Sequence, residues 1–170
     1  VTRSHITGGN QFLPGNYLNT NLREVDHEYD YFCQFGGALG FGHDFRKDSP
    51  QKKEMAKNMI SLYKSIRHLN TADYYPLFND FPLDQKQWDG WQFHDPKTGE
   101  GYVVVLRPPE SPYPEAVIKL HGIDPDKSYQ ITECEFNDLP SELGGKELGG
   151  GLLVRIKEAR SAFFAHYKQQ

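Results

Sequence analysis

WQFHDPKTGEGYVVVLR, residues 91–107, decides the fold class of this chain. Two short runs rich in aromatic and β-branched residues, WQFH at 91–94 and GYVVVLR at 101–107, flank the turn cluster Asp95-Pro96-Lys97-Thr98-Gly99. Such side chains suit a pleated surface, and Pro and Gly punctuate the gaps between strands. The pattern continues downstream as AVIKLH at 116–121, SYQITECEF at 128–136, LLVRIK at 152–157 and SAFFAHY at 161–167. Pro108-Pro109, Asp124-Pro125-Asp126 and the glycines at 144, 145 and 149–151 separate these runs. Strands at this spacing with no helix between them predict an antiparallel β-sandwich over residues 71–170.

Upstream the period changes. DSPQKKEMAKNMISLYKSIRHLN, residues 48–70, reads as a helix. Ser49 can accept from the orphan amides of the first turn, and Pro50 needs no hydrogen bond at the first helical position. Met55, Met59, Leu62, Tyr63, Ile66 and Leu69 form the apolar stripe of a helix packed on one side. Lys64, Arg67 and His68 suit the negative pole of its dipole. Before the helix, YFCQFGGALGFG at 31–42 is short, apolar and Gly-rich, which predicts a buried strand in close approach to its neighbours. A strand followed by a helix is the unit of a parallel barrel, so residues 1–70 are expected to be the terminal piece of one. A lone unit of this kind cannot cover both faces of its strand, and a sticky or poorly ordered segment is the expectation.

The 170 residues carry 19 Lys+Arg against 23 Asp+Glu, a formal net charge of −4. That balance lacks the clustered cations that phosphate-backbone binding requires, so nucleic acid is not an expected partner. A mean hydropathy of −0.71, with no long uncharged apolar run, argues against a helical membrane span. A chain this long buries roughly 70% of its unfolded surface, enough for a core without staples. Cys33 and Cys134 lie far apart in no CxxC pattern, and the reading favours two separate buried thiols over a bridge. The chain opens on Val1, no leader-like segment follows, and a piece of a longer protein is expected.

Few residues point to chemistry. GGKELGGG at 144–151 lacks the Gly-Lys-Ser/Thr ending of a phosphate loop and does not stand between strand and helix; it reads as a flexible turn. His27, Asp30, His43 and Asp44 are ligand-type residues, but no pair has the i, i+4 spacing of a helical metal site, so neither metal nor cofactor is expected. Position singles out His43 and Asp44 instead, because they follow the proposed terminal strand at the end of a barrel where active sites form. The same argument selects His5 and Asn10. Trp88 and Trp91 flank Asp89-Gly90; an indole face can stack on a sugar ring or pack between domains, and packing is favoured. No Ser-His-Asp order can be argued, and neither cysteine has a histidine close in sequence, so nucleophilic catalysis by this chain is unsupported.

The order of motifs resembles the C-terminal portion of glycoside hydrolase family 36, the α-galactosidase-like group. Phe35-Gly36-Gly37-Ala38-Leu39-Gly40 is similar to the Gly-rich last barrel strand of that family, and Leu62-Tyr63-Lys64-Ser65-Ile66-Arg67 to its Tyr-Lys-x-x-Arg helix. Asp73-Tyr74-Tyr75-Pro76-Leu77 resembles the entry to its C-terminal domain. The run at 101–107 resembles a strand ending in Phe-Arg, and Leu120-His121-Gly122-Ile123-Asp124-Pro125 with Tyr129 resembles Leu-x-Gly-Leu-Asp-Pro-x-x-x-Tyr. Ser4-His5-Ile6-Thr7 is similar to a His-Val-Ser strand near the sugar pocket, although Gly8-Gly9-Asn10-Gln11 and Asn16-Tyr17-Leu18-Asn19 depart from the family's Pro-Asn and Arg-rich continuation.

The resemblance implies a mainly β chain: the last strand-helix unit of a (β/α)8 barrel at 1–70, then the antiparallel domain at 71–170. It implies a parent that hydrolyses α-galactosides with retention, using two aspartates on opposite sides of the scissile bond about 5 Å apart. Those aspartates belong to barrel strands upstream of the matched region, and no position here corresponds to either. The implied partners are a carbohydrate and the remainder of the barrel. His5, Asn10, His43 and Asp44 are the expected lining of the sugar pocket. Two rival readings stand beside this one, a free-standing carbohydrate-binding β-module using Trp88, Trp91 or tyrosines, and a structural or oligomerisation domain.

Overall fold

In strand β3 (Glu100–Arg107) every residue after Glu100 is buried, because its alternating side chains enter two different cores. Tyr102, Val104 and Leu106 point into one, Val103 and Val105 into the other. A half-buried strand would alternate apolar with polar residues; burial on both sides removes the polar half. The structure, a computed structural model, describes residues 2–23, 25–78, 84–134 and 139–170, and the side chains of 2, 133 and 134 fall outside that description.

The neighbours of β3 repeat its division. Strands β1 (Asp73–Pro76), β2 (Asp89–Asp95), β3, β5 (Ser128–Cys134), β6 (Glu142–Gly144) and β8 (Ser161–Gln169) form one antiparallel sheet in the order β1-β2-β3-β8-β5-β6. In register, Trp91 faces Val104 and Val104 faces Phe164, all on the first core. Val105 faces Phe163 and Ile131 faces Tyr167, all on the second. A two-stranded ribbon of β4 (Glu115–Ile118) and β7 (Leu152–Arg155) covers the second core with Ile118 and Val154. The antiparallel reading of the second half therefore holds. The turn at 95–99 closes as its composition demands: Asp95 accepts from Lys97 N at 2.9 Å and from the Thr98 hydroxyl at 3.0 Å, and Gly99 takes φ +64°.

The first core is closed by helices α1 (Thr2–Gly9), α2 (Glu28–Phe32) and α3 (Pro50–Ile66), which contribute Ile6, Phe32, Ala56, Met59 and Ile66. Helix α3 forms where expected. Ser49 Oγ accepts from Lys52 N at 3.3 Å, Pro50 opens the first turn, and a 3-10 turn at Arg67–Thr71 buries Leu69.

Three local expectations change. The strand expected at 31–42 is instead the end of α2 and a run of turns, and only Ala38 and Phe41 make isolated parallel bridges, to Asn19 and Leu22. A buried parallel strand needs partners on both edges for its backbone groups. With one short partner available, the amides of Gln34, Phe35 and Gly37 turn back onto Tyr31, Phe32 and Gln34 carbonyls at 2.9, 3.2 and 3.0 Å. Residues 4–7, compared above with a strand, lie in α1. The glycine cluster contains a short helix, α4 (Gly145–Gly150), anchored by buried Leu148 and by Glu147 Oε2, which accepts from Gly144 N at 2.8 Å. On its sheet-facing side the segment 2–71 buries Ile6, Phe35 and Ile66 fully, while Phe12, Leu13 and Tyr17 stay exposed. Glu135 and Phe136, read as the end of a strand, lie outside the described residues.

Phe164 joins the two parts of the first core. Its ring lies 5.8 Å from Phe32, 6.2 Å from Phe35 and 6.1 Å from Tyr102, centroid to centroid. Phe164→Ala is expected to destabilise the chain by about 3–5 kcal/mol through lost transfer energy and a residual cavity, measured by urea denaturation. A loss below about 1 kcal/mol would contradict this packing.

Candidate functional site

The interface between residues 2–71 and the sheet holds buried Arg3, Thr7, Asn10, Asn70 and Asp89. Arg3 and Thr7 share one face of α1 at i, i+4 spacing and meet the start of β2 there. Thr7 Oγ1 lies 2.9 and 3.0 Å from the two carboxylate oxygens of Asp89, and Gly90 N donates to Asp89 at 2.8 Å. Tyr74 donates its hydroxyl proton to Thr7 O at 3.0 Å. Arg3 donates to Gln87 O at 3.1 Å and to Asp84 O. Burial pushes the Asp89 carboxyl up to about 6, against the opposing pull of the Thr7 hydroxyl, the Arg3 guanidinium and the Gly90 amide. Nearby Cys33 is free and buried, and desolvation raises its thiol to about 12, so it is not a reactive nucleophile. The Cys134 side chain, the other half of the cysteine reading, lies outside the described residues.

A second polar knot holds the turns at 33–37. Asn10 Nδ2 donates to Ile6 O at 2.9 Å and Gly36 O at 3.0 Å. Asn70 Nδ2 donates to Phe35 O and Gly37 O, each at 3.2 Å, and its Oδ1 lies 2.6 Å from the Tyr102 hydroxyl. Gly15 is required here: a Cβ on it would stand 2.4 Å from Gly36 O and 2.9 Å from Asn10 Oδ1. Asn70 and Tyr102 escaped the sequence reading. The one available signal was a polar residue closing a helix and a tyrosine inside an otherwise aliphatic strand. An open cleft of about 540 Å³ adjoins this knot, lined by Asn10, Phe12, Leu13, Asp73, Tyr74 and Phe93 among others.

A third cluster surrounds Arg160, whose backbone has φ +55° just before β8. Its guanidinium Nη2 lies 2.6 Å from Asp26 and 3.1 Å from Asp30, beside a cleft of about 330 Å³ that His43 and Lys52 also line. The Arg160 hydrogen bond holds Asp26 below the usual carboxylate range. A retaining glycosidase pair needs one acid kept protonated and a sugar between the two carboxyls. Here no sugar-sized gap separates the carboxylates, since both contact one guanidinium nitrogen, so this cluster is an electrostatic tie. His43 has both ring nitrogens engaged, Nε2 2.8 Å from Asp48 and Nδ1 3.1 Å from Arg23 O. Asp44 accepts from Arg46 N at 3.2 Å and from its guanidinium at 2.8 and 3.0 Å, and these bonds lower its carboxyl.

The four side chains selected from sequence are thus distributed. His5 is exposed on α1, Asn10 is buried beside the larger cleft, and His43 lines the smaller one with Asp44 next to it in the chain. Both indoles are buried: Trp91 lies between the sheet and the preceding segment, and Trp88 Nε1 donates to Ser111 Oγ at 2.9 Å inside the second core. Among the described residues no three His, Cys, Asp or Glu side chains gather as metal ligands, and no helix is long and apolar enough to cross a membrane.

Asp89 generates a pH dependence. Its folded value lies above the ordinary 3.8, so the folded chain takes up its proton more readily than the unfolded chain. The stability it contributes is complete below about pH 4 and is lost as pH rises through about 6, a span of about 3 kcal/mol. Asp89→Asn is expected to flatten the denaturation free energy between pH 4 and pH 7 relative to the wild type; parallel profiles for the two proteins would contradict the assignment.

No family model matches the chain. Over 97 residues it is 27% identical to α-galactosidase AgaA of Geobacillus stearothermophilus, a match covering 56% of this chain and 13% of that protein. The crystal structure of the same family 36 enzyme superposes with a TM-score of 0.71 at 21% identity, covering 87% of this chain and 20% of that one. The α-galactosidase of Lactobacillus brevis gives 0.72 at 19% identity, covering 92% and 23%. The chain therefore spans about a fifth of the length of these solved relatives, and at such identities the structural likeness speaks to the fold. AgaA variants have been crystallised with raffinose and with stachyose. By motif order, partial sequence match and fold, this chain is similar to the C-terminal part of family 36 α-galactosidases.

Proposed function

We propose that this chain is the C-terminal portion of a retaining α-galactosidase-like glycoside hydrolase. In this reading residues 71–170 buttress the catalytic barrel, residues 1–70 complete it and supply one wall of the sugar pocket, and the chain alone does not hydrolyse glycosides. The observation that carries the reading is the likeness of 87–92% of this chain to about one fifth of two α-galactosidases. The electrostatics agree with it: the paired carboxylates Asp26 and Asp30 are tied to Arg160, and Asp89 is enclosed by Thr7, Gly90 and α1. Phe12, Leu13 and Tyr17, exposed at 84%, 51% and 72%, are the surface the remainder of the barrel would cover.

Within that wall, exposed His5 is the side chain free to meet a sugar. Asn10, His43 and Asp44 act one step back, by fixing the turns that shape the pocket. A free-standing carbohydrate-binding module would have to use exposed rings such as Phe12, Tyr17 or Tyr113, since Trp88 and Trp91 are enclosed. One pair of measurements separates these readings. The 170-residue chain should neither turn over a chromogenic α-galactoside above the blank nor give binding heat with raffinose, and joining it to an upstream barrel bearing two aspartates should produce turnover. Turnover by the chain alone that persists through repurification would sink the proposal, and raffinose affinity of the isolated chain would favour the binding module.

A further inference from the structure

The β4–β7 ribbon covers the second core with one face and leaves the other bare. Val117 and Leu153, opposite each other in register, are 62% and 41% exposed. Ile156 N donates to Pro114 O at 2.8 Å. Antiparallel pairs alternate between bonded and unbonded, so Ala116 and Ile118 direct their backbone groups to β7, while Glu115, Val117 and Lys119 direct theirs to the open edge. Among the described residues no strand takes up that edge.

We propose that this edge docks β4 of a second copy of the chain, antiparallel, across a two-fold axis at Val117. In that register Val117 faces Val117 of the second copy, and Glu115 faces the second copy's Lys119 at both ends. All three facing pairs are the ones whose backbone groups point outward, so each exchanges two hydrogen bonds. The charges agree with the register. Lys119 is exposed and pairs with no acid among the described residues, and Glu115 uses one carboxylate oxygen on Arg155 at 3.1 Å, leaving the other for a second cation. A lysine on an edge strand ordinarily discourages pairing. Here it selects one pairing, since sliding the register by two residues sets either Glu115 or Lys119 against Val117 and forfeits both ion pairs. The contact would join two ribbons into a four-stranded sheet and bring the bare Val117–Leu153 faces side by side. A contact along one strand as short as β4 buries little surface, so the dimer is weak and concentration-dependent. This inference does not rest on the glycosidase reading.

The test is sedimentation equilibrium of the 170-residue chain from micromolar to millimolar concentration. A monomer–dimer equilibrium is expected. Lys119→Glu, which sets two acids opposite each other twice per dimer, should weaken it about tenfold or more. The charge swap Glu115→Lys with Lys119→Glu restores opposite charges and should bring dimerisation back to within about threefold of wild type. Circular dichroism of each variant confirms that the fold is retained. A wild-type chain that stays monomeric throughout, a Lys119→Glu variant that dimerises as well as wild type, or a folded charge swap that fails to restore the dimer would each overturn the proposal.

Discussion

Burial of β3 and β8 on both faces is the constraint from which the rest of the structure follows. Each strand sends one row of side chains into each core, and neither row can be left in water: Tyr102, Val104 and Phe164 on one side, Val103, Val105 and Phe163 on the other. The ribbon covers the second row. The first row needs a cover of its own, and the segment 2–71 supplies it with Ile6, Phe32, Phe35 and Ile66. Each fully buried aromatic or aliphatic side chain contributes about 1.5–3 kcal/mol relative to exposure, so the segment is held chiefly by apolar area.

Polar groups at the same interface set its geometry. Asn70, Asn10 and Tyr102 take up carbonyls at 35–37 that irregular backbone would otherwise bury unpaired. Leaving such groups unmade costs about 1–3 kcal/mol each, while making them adds less. These bonds therefore specify one placement of the turns without supplying most of the stability. Asp89 is the exception in sign. Its ionised form is disfavoured in place, yet it ties Thr7 of α1 to the edge of β2, which couples the docking of that helix to protonation.

Three carboxylates are held by their neighbours: Asp26 and Asp30 share one guanidinium nitrogen of Arg160, and Asp89 is enclosed by the Thr7 hydroxyl and the Gly90 amide. What the structure does provide is a rigid antiparallel body with an irregular, Gly-rich segment fastened across one face.

Much of the fold was legible from local pattern. The runs at 91–94, 101–107 and 161–167 announced strands because β-branched and aromatic residues pack on a pleat, and Ser49-Pro50 with the Met55–Leu69 stripe announced helix α3. The site was far less legible. Asn70 and Tyr102 meet across 32 residues, Thr7 and Asp89 across 82, and Arg160 reaches Asp26 across 134. Nothing local marks such pairs. The sequence alone indicated strands β2, β3, β4, β5, β7 and β8 and the apolar content of the second half, but not β1, β6 or helix α4. Which face each residue meets, and the replacement of an expected strand at 31–42 by turns, were decided only in the tertiary structure, because backbone groups accept whichever partners the surrounding chain brings within reach.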